Sequence, residues 1–170
     1  MTATAILSAA QVREVLDYNP ETGVFIRKVR LAQRHQVGDR ADTALTNPKM
    51  LGYRRVSLFS QRFLAHRLAW FYVHGVWPEK HIDHINGETG DNRIANLREA
   101  DDQLNIENLR KAKIGNKVGL LGVIQHGETQ WRARIQLHGK GIHIGLFSSP
   151  EEAHEAYLVA KRKLHEGCTI

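Results

Sequence analysis

The sequence has very little cysteine and no long apolar segment. Cys168 is the only cysteine among 170 residues, so neither a disulfide framework nor a thiolate zinc cluster is available. No apolar run approaches the roughly 18 residues that a membrane-spanning helix needs. The first residues, MTATAILSAA, lack the basic region and the apolar core of a signal peptide. These absences predict a globular protein of a reducing, intracellular compartment with no membrane partner.

Basic residues outnumber acidic ones, and the excess is concentrated in one short segment. The formal net charge is +6. Residues 1–109 carry 14 Lys and Arg against 13 Asp and Glu, and residues 118–170 carry 6 against 5. Residues 110–117, RKAKIGNK, carry four basic residues and no acidic one, which suits a polyanionic partner. We interpret residues 110–118 as a basic linker between two small domains, and expect it to contact phosphates through Arg110, Lys111, Lys113 and Lys117.

The chain before residue 80 shows mixed helix and strand patterns. Ser8 is placed to cap a short amphipathic helix, and VFIRKV reads as a strand. Residues 31–50 are polar and weakly patterned, which predicts a mobile loop. Two strands and a helix are expected next, and Pro78 is expected to end that helix. The predicted apolar face of the helix is formed by Ala65, Leu68, Ala69 and Tyr72.

From Gly119 onward the pattern predicts three strands and a closing helix. Gly-containing turns separate the strand-like runs, and Pro150 stands at the first position of an N-capped helix. Alternation along QWRARIQLH directs Trp131, Ala133, Ile135 and Leu137 to the helix side. The opposite, polar face carries Arg132, Arg134, Gln136 and His138. This face could reach phosphates and base edges in a major groove, and the alternative is an ordinary solvated surface.

The densest group of chemically useful side chains lies in residues 81–108, HIDHINGETGDNRIANLREADDQLNIEN. The carboxylate of Asp83 adjoins the imidazole of His84, and several asparagines follow. Hydrolysis of a phosphodiester needs a base that activates water and positive charge at the phosphate. A neutral imidazole is a suitable base, and a hard cation such as Mg²⁺ accepts one carboxylate and one amide oxygen besides waters. The stretch therefore indicates a one-metal nuclease site.

Other polar residues of this region have plainer interpretations. We interpret Asn86, Gly87, Gly90 and Asn92 as turn residues, and Asp101 as the N-cap of the helix that carries Asn105. The histidines at 66, 74 and 81 are either extra ligands or packed side chains, and packing or a phosphate contact is favoured over metal binding. A zinc site made of histidines is disfavoured because cysteines at ligand spacing are missing.

Residues 53–108 resemble the HNH endonuclease family, in its phage and mobile-element branch. The matching features are HRLAW at 66–70, Asp83 and His84, DNRIANLR at 91–98, and Asn105, which stands where many members have His and others Asn. The resemblance implies a ββα-metal motif in which His84 is the general base and Asn96 orients its imidazole. It implies one divalent cation held by Asp83 and Asn105, Mg²⁺ with Mn²⁺ as the alternative. It further implies double-stranded DNA as substrate, and the cytoplasm of a bacterial or phage-infected host.

Residues 119–166 resemble the DNA-binding domains of the APETALA/ethylene-response-factor type. The resemblance is carried by GV at 122–123, Trp131, IGLF at 144–147 and EEAHEAY at 151–157. It implies that the three-stranded sheet binds DNA. Ile124 and His143 stand where plant members commonly carry Arg and Trp, so the resemblance does not predict which DNA sequence this domain binds.

The sequence thus predicts an α+β protein with four parts. Residues 1–52 support the nuclease, residues 53–109 form its ββα-metal core, 110–118 are the linker, and 119–170 form a βββα DNA-binding domain. The expected function is a metal-dependent, site-specific DNA endonuclease of the HNH homing type. Two alternatives stay open: a DNA-binding regulator with a decayed HNH site, and a structural-zinc module that acts on protein or RNA. A monomer would favour nicking and a homodimer double-strand cleavage, and the sequence does not choose between them.

Overall fold

The computed structural model describes residues 7–112 and 115–170. The chain divides into two compact units, Met1–Glu99 and Ala100–Ile170. The division precedes the predicted linker, so Arg110 falls within the second unit. Lys113, one of the predicted DNA-binding residues, lies outside the described residues.

From residue 7 onward, the first unit combines two α-helices with small sheets. Strands β1 and β2 form an antiparallel hairpin, β3, β4 and β5 form an antiparallel sheet in that order, and β6 pairs with β7. Short 3-10 helices lie at Pro48–Met50 and Ile94–Asn96. The elements are α1 (Ala9–Val15), β1 (Leu16–Asn19), β2 (Val24–Arg27), β3 (Asp42–Ala44), β4 (Arg54–Leu58), β5 (Gln61–Leu64), α2 (Ala65–His74), β6 (His81–His84) and β7 (Leu97–Ala100).

Local contacts explain where α1 begins and where α2 ends. Ser8 caps α1 as predicted, because its hydroxyl accepts from the Gln11 N–H while the Gln11 side chain accepts from the Ser8 N–H. The prediction that Pro78 ends α2 is wrong. The helix ends at His74, because Gly75 adopts a left-handed conformation with φ of 78° and donates its N–H to the Phe71 carbonyl.

Helix α2 buries its predicted apolar face in the core of the first unit. Ala65, Leu68 and Ala69 are fully buried, and Tyr72, which is partly buried, packs against the same core. The core also receives residues from α1, both hairpin strands and β4: Val12, Leu16, Tyr18, Phe25, Val56 and Leu58. A single apolar cluster therefore ties the N-terminal hairpin to the helix that precedes β6.

The segment 31–50, expected to be a loop, contains a strand. Asp42 starts β3, which pairs with β4 through Asp42 opposite Val56. Its buried carboxylate accepts from Arg40 Nε at 2.9 Å and also from Arg54 Nε. A buried carboxylate is stable only when it is paired, and these two arginines supply the partners. The polar character of the segment therefore reflects an ion-paired strand as well as loop.

The second unit contains a short helix, a three-stranded antiparallel sheet and a longer helix. The strand order is β10-β9-β8, and the core consists of Val123, Ala133, Ile135, Ala153 and Tyr157. The alternation predicted for β9 is present, because Ala133 and Ile135 are buried whereas Arg134 and Gln136 are exposed. The elements are α3 (Asp102–Glu107), β8 (Val123–His126), β9 (Gln130–Leu137), β10 (Lys140–Phe147) and α4 (Pro150–Leu164).

Helices α3 and α4 begin at the predicted N-caps. Asp101 caps α3 through the Leu104 N–H at 2.9 Å, and Ser149 caps α4 with Pro150 in its first turn. The last residues of the unit fold back onto α3, where the buried carboxylate of Glu107 accepts from the Gly167 N–H at 3.0 Å. Helix α3 is thereby fastened to the C-terminal residues.

His138 does not lie on the polar strand face where the alternation placed it. It occupies the turn between β9 and β10, with φ of 48°, next to Gly139 with φ of 77°. Two-residue hairpin turns of this kind need positive φ at both positions, so the strand ends at Leu137. The His138 ring instead contacts the side chain of Gln103 on α3.

The chain is therefore a mixed α and β protein with small antiparallel sheets, consistent with the expected α+β class. None of the described helices is long and apolar enough to cross a membrane.

Candidate active site

Three of the four residues that the sequence assigned to the site lie in the first unit. Asp83 and His84 are the last two residues of β6, and Asn96 ends the 3-10 helix before β7. All three are buried. Asn105 is exposed on α3, in the second unit. The loop of residues 85–96, which joins β6 to β7, is called the site loop below.

The ring of His84 contacts the side-chain amide of Asn92 and two neighbouring rings. Its Nε2 lies 3.2 Å from Oδ1 of Asn92. The rings of His66 and Tyr53 contact it edge to face, with centroid distances of 5.1 and 5.9 Å. Because a carboxamide oxygen only accepts, the nitrogen that faces it carries the proton. The neutral ring is therefore the Nε2–H tautomer, with its lone pair on Nδ1.

Burial keeps this imidazole neutral near neutral pH. Burial lowers the pKa of His84, while the Asn92 contact and the charges of Asp83 and Asp91 oppose the shift. The pKa of the neighbouring His66 falls to about 3, mainly because of burial and also because of His84 and Arg67. Both rings are therefore uncharged at neutral pH, which is the form in which His84 can accept a proton.

Asn96 contacts the site loop. Its Oδ1 accepts from the Asn86 N–H at 2.9 Å, its Nδ2 donates to the Asp91 carbonyl at 2.8 Å, and its own carbonyl accepts from the Ile85 N–H at 2.9 Å. The resemblance assigned Asn96 to orient the imidazole. In the structure the carboxamide on Nε2 belongs to Asn92, and Asn96 fastens the two ends of the loop that carries Asn92.

The site loop is also fixed by a charged cluster around Asp91. Arg93 donates to its two carboxylate oxygens at 2.8 and 2.6 Å, and Asn86 Nδ2 donates at 2.7 Å. These bonds, above all those from Arg93, lower the pKa of Asp91 to about 2. The loop is therefore held by its own side chains as well as by Asn96.

The Asp83 carboxylate has an arginine partner that the sequence did not suggest. Its Oδ2 accepts from Nε and Nη2 of Arg98, on β7, at 3.0 and 2.9 Å. Both side chains are mostly shielded from solvent. Arg98 therefore fixes the direction of the carboxylate and places a positive charge beside it.

The metal ligands implied by the resemblance are both oxygen donors. Within residues 7–112 and 115–170, no group of three or more His, Cys, Asp or Glu is placed to hold a metal ion. The two ligands expected from the resemblance, Asp83 and Asn105, offer a carboxylate and an amide oxygen. Oxygen ligands supplemented by waters suit Mg²⁺, whereas a structural zinc site needs four closely placed nitrogen or sulfur ligands.

The polar sheet face of the second unit mixes cations with exposed apolar side chains. Arg132 Nη2 lies 2.9 Å from His126 Nδ1, and Arg134 is exposed and passes over Gly141 so closely that a Cβ there would meet its guanidinium. Ile124 and Leu146 stand opposite Arg132 on the two neighbouring strands and are 46% and 43% exposed. We call Ile124, Arg132, Arg134, Gln136 and Leu146 the outer sheet face.

The basic segment is partly tied into the second unit. Arg110 donates to the Thr169 carbonyl at 2.9 Å and to its hydroxyl. Lys111 and Lys117 are exposed. The described lysines of the segment are thus available to a polyanion, whereas Arg110 also holds the C-terminal residues.

Asn92 and Arg98 contact His84 and Asp83, but the sequence does not mark either as a site residue. Asn92 precedes a 3-10 helix in a stretch rich in Asn and Gly, which is typical of turns. In the structure it differs from an ordinary turn residue because it is only 1% exposed and its side chain contacts His84. Arg98 pairs with Asp83 because β6 and β7 are neighbours. Neither the contact of Asn92 with His84 nor that of Arg98 with Asp83 can be predicted from the spacing of the residues in the sequence.

Comparison with known proteins identifies one part of the chain. Residues 63–107 match the model of a family described as HNH endonuclease. No curated protein and no solved structure matched the chain. The matched span runs from β5 to the end of α3 and contains Asp83, His84, Asn92 and Asn96. Its sequence and the site described above together support an HNH nuclease in this part of the chain.

Proposed function

We propose that the protein is a metal-dependent DNA endonuclease whose general base is His84. The observation that carries the proposal is the buried His84 ring, held through Nε2 by Asn92 next to the Asp83 carboxylate. This arrangement lies within the residues that match the HNH endonuclease model. It supplies a neutral imidazole of fixed tautomer beside a carboxylate suited to a hard cation.

In the proposed reaction, Nδ1 of His84 takes a proton from a water molecule while the water oxygen attacks phosphorus. The bond from phosphorus to the leaving sugar oxygen breaks, and that oxygen gains a proton from solvent. The resulting imidazolium is stabilised by the Nε2–H bond to Asn92 and by the charge of Asp83. A bound divalent cation supplies the positive charge that stabilises the crowded phosphate. Asp83 and, as the resemblance implies, Asn105 are its proposed ligands.

The proposal extends to target binding by the second unit. The outer sheet face presents Arg132, Arg134 and Gln136, whose side chains can contact phosphates and base edges. Lys111 and Lys117 add attraction to the phosphate backbone that does not depend on sequence. Site specificity, a homing type of activity and a bacterial or phage-infected host follow from the resemblance and form part of this proposal.

One observation favours a second candidate, a DNA-binding regulator with an inactive site. Arg98 donates two hydrogen bonds to one oxygen of Asp83. A guanidinium in that position can neutralise the carboxylate and take the place of a cation. In this alternative the first unit would bind DNA without cutting it.

Cleavage of supercoiled plasmid distinguishes the two candidates. The plasmid carries the DNA that flanks the protein's own gene, and each reaction is run with Mg²⁺, Mn²⁺ or EDTA. Nicked or linear product that requires the metal supports the endonuclease. Binding in a gel-shift assay without cleavage under every metal supports the regulator. Stoichiometric zinc in the purified protein would instead favour a structural-zinc module.

A further inference from the structure

The site loop rests on a hairpin that lies outside the residues matching the nuclease family. The hydroxyl of Tyr18, on β1, donates to the main-chain carbonyl of Asn92 at 2.6 Å. The carbonyl of Pro20, in the turn of the same hairpin, accepts from the Ile94 N–H at 3.3 Å. The hairpin therefore contacts the loop on both sides of Arg93.

Gly23 brings the backbone of the hairpin against the backbone of the site loop. A Cβ at this position would lie 2.4 Å from the carbonyl carbon of Asn92 and 2.5 Å from the amide nitrogen of Arg93. Its φ of 70° also favours glycine. Because both obstructing atoms belong to the main chain, no side-chain movement can make room for a larger residue.

Among the described residues, the Asn92 side chain has one hydrogen-bond contact, the one to His84. Its Nδ2 is buried and has no hydrogen-bond partner among the described residues. Buried polar groups without partners are rare in stable structures and often mark functional positions. The position of its Oδ1 is therefore set by the main chain of Asn92, which Tyr18 and Gly23 contact.

Tyr18 is itself firmly placed. Its ring packs against Phe25 and Tyr72 with centroid distances of 4.8 and 5.6 Å, and the residue is 5% exposed. Its hydroxyl is the donor because it faces a carbonyl oxygen. The apolar core of the first unit is thus connected, through one hydroxyl, to the main chain that carries the carboxamide on His84.

We propose that Tyr18 and Gly23 are positioning residues of the nuclease site. They hold the main chain at Asn92 so that its carboxamide keeps His84 in the Nε2–H tautomer, with Nδ1 as the nitrogen that accepts the proton. Their effect on cleavage rests on the proposed function, whereas their effect on the His84 ring does not. The residues on which the nuclease site depends then include the β1–β2 hairpin as well as residues 63–107.

The test compares Tyr18→Phe with Tyr72→Phe. Both changes remove one hydroxyl from the same aromatic cluster, but only Tyr18 bonds to Asn92. Imidazole ¹⁵N shifts are recorded on ¹⁵N-histidine-labelled protein, and the His84 signals are assigned by their absence in His84→Gln. Single-turnover cleavage and DNA affinity are measured on the same samples, and thermal unfolding confirms that each variant is folded.

Tyr18→Phe is expected to shift the His84 nitrogens toward a mixture of tautomers and to slow cleavage roughly tenfold without changing DNA affinity. Tyr72→Phe is expected to match the wild type in all three measurements. Gly23→Ala should disturb the ring more strongly than Tyr18→Phe. An unchanged His84 tautomer in Tyr18→Phe, or an equal change in Tyr72→Phe, overturns the proposal. A wild type that does not cut DNA would contradict the proposed function, and the nitrogen shifts would still decide this one.

Discussion

Nε2 of His84 lies 3.2 Å from Oδ1 of Asn92, and this contact determines which ring nitrogen can act as a base. An imidazole that is free to change tautomer would offer the wrong nitrogen part of the time. Burial removes the charged form near neutral pH, and the carboxamide selects one of the two neutral forms. Asn92 therefore has a larger effect on the proposed chemistry than a turn residue would have.

Replacing Asn92 should slow cleavage without weakening DNA binding. Asn92→Ala removes the acceptor from Nε2, and we expect the single-turnover rate to fall by roughly 10- to 100-fold. Asn92→Asp should place a carboxylate against Nε2–H, raise the pKa of His84 and move the acidic limb of the rate–pH profile to higher pH. Asn47→Ala, which removes an exposed amide from the same unit, is the matched control. A rate in Asn92→Ala equal to that of the control would exclude the assigned contact.

Removing Arg98 should change the metal requirement. Arg98 donates twice to Asp83 Oδ2, so a cation must share that carboxylate with a guanidinium. We expect Arg98→Gln to lower the Mg²⁺ concentration that gives half-maximal cleavage by about threefold to tenfold. A change of about 1.4 kcal/mol in the free energy of Mg²⁺ binding corresponds to a factor of ten in this concentration. Arg62→Gln, which removes an exposed guanidinium on β5 away from the site loop, serves as the control. A higher Mg²⁺ requirement in Arg98→Gln would show that Arg98 helps to build the site.

His66 should make the folded state sensitive to mild acid. Its pKa of about 3 in the folded protein lies below its ordinary value of 6.5. Between these two values the unfolded chain binds a proton that the folded protein does not. The free energy of unfolding should therefore fall as the pH decreases below 6.5, by up to about 1.4 kcal/mol per pH unit from this group.

His66→Phe keeps a ring against Tyr53 and His84 but cannot be protonated. Urea unfolding at several pH values between 6.5 and 4.5 should give a smaller loss of stability for the variant than for the wild type. Parallel curves for the two proteins would show that His66 is not buried in its neutral form.

Local rules explain which parts of the structure the sequence predicted. The cap at Ser8, the start of α4 at Pro150 and the burial of Ala133 and Ile135 each depend on neighbouring residues or on simple alternation. Asp83 and His84 are candidate site residues in the sequence because they are adjacent in a stretch rich in polar side chains. These features need no knowledge of the tertiary fold.

The contacts that set the geometry of the site depend on distant residues. The Tyr18 hydroxyl and the Asn92 carbonyl are 74 residues apart in the chain, and Asp83 meets Arg98 only because two strands pair. His138 illustrates another limit. Alternation extended β9 by one residue, whereas the hairpin needed that residue in a left-handed conformation.

The outer sheet face should contribute to DNA affinity through phosphate contacts. Replacing both Arg132 and Arg134 with Ala should weaken binding and reduce the slope of log K against log salt by roughly 2, since each lost contact with duplex DNA changes the slope by about 0.9. Lys163→Ala, which removes an exposed charge on α4, should leave both quantities nearly unchanged. Equal affinity and equal salt dependence in the double variant would exclude this face from binding.

The role of His84 is tested most directly by single-turnover plasmid cleavage in Mg²⁺ with the wild type, His84→Ala and His74→Ala. DNA binding is measured in parallel. His74 is exposed at the end of α2 and serves as the control for losing an imidazole. We expect His84→Ala to bind DNA normally without cutting it, and His74→Ala to cut at the wild-type rate. Cleavage by His84→Ala at the wild-type rate would contradict the assignment of His84 as the base.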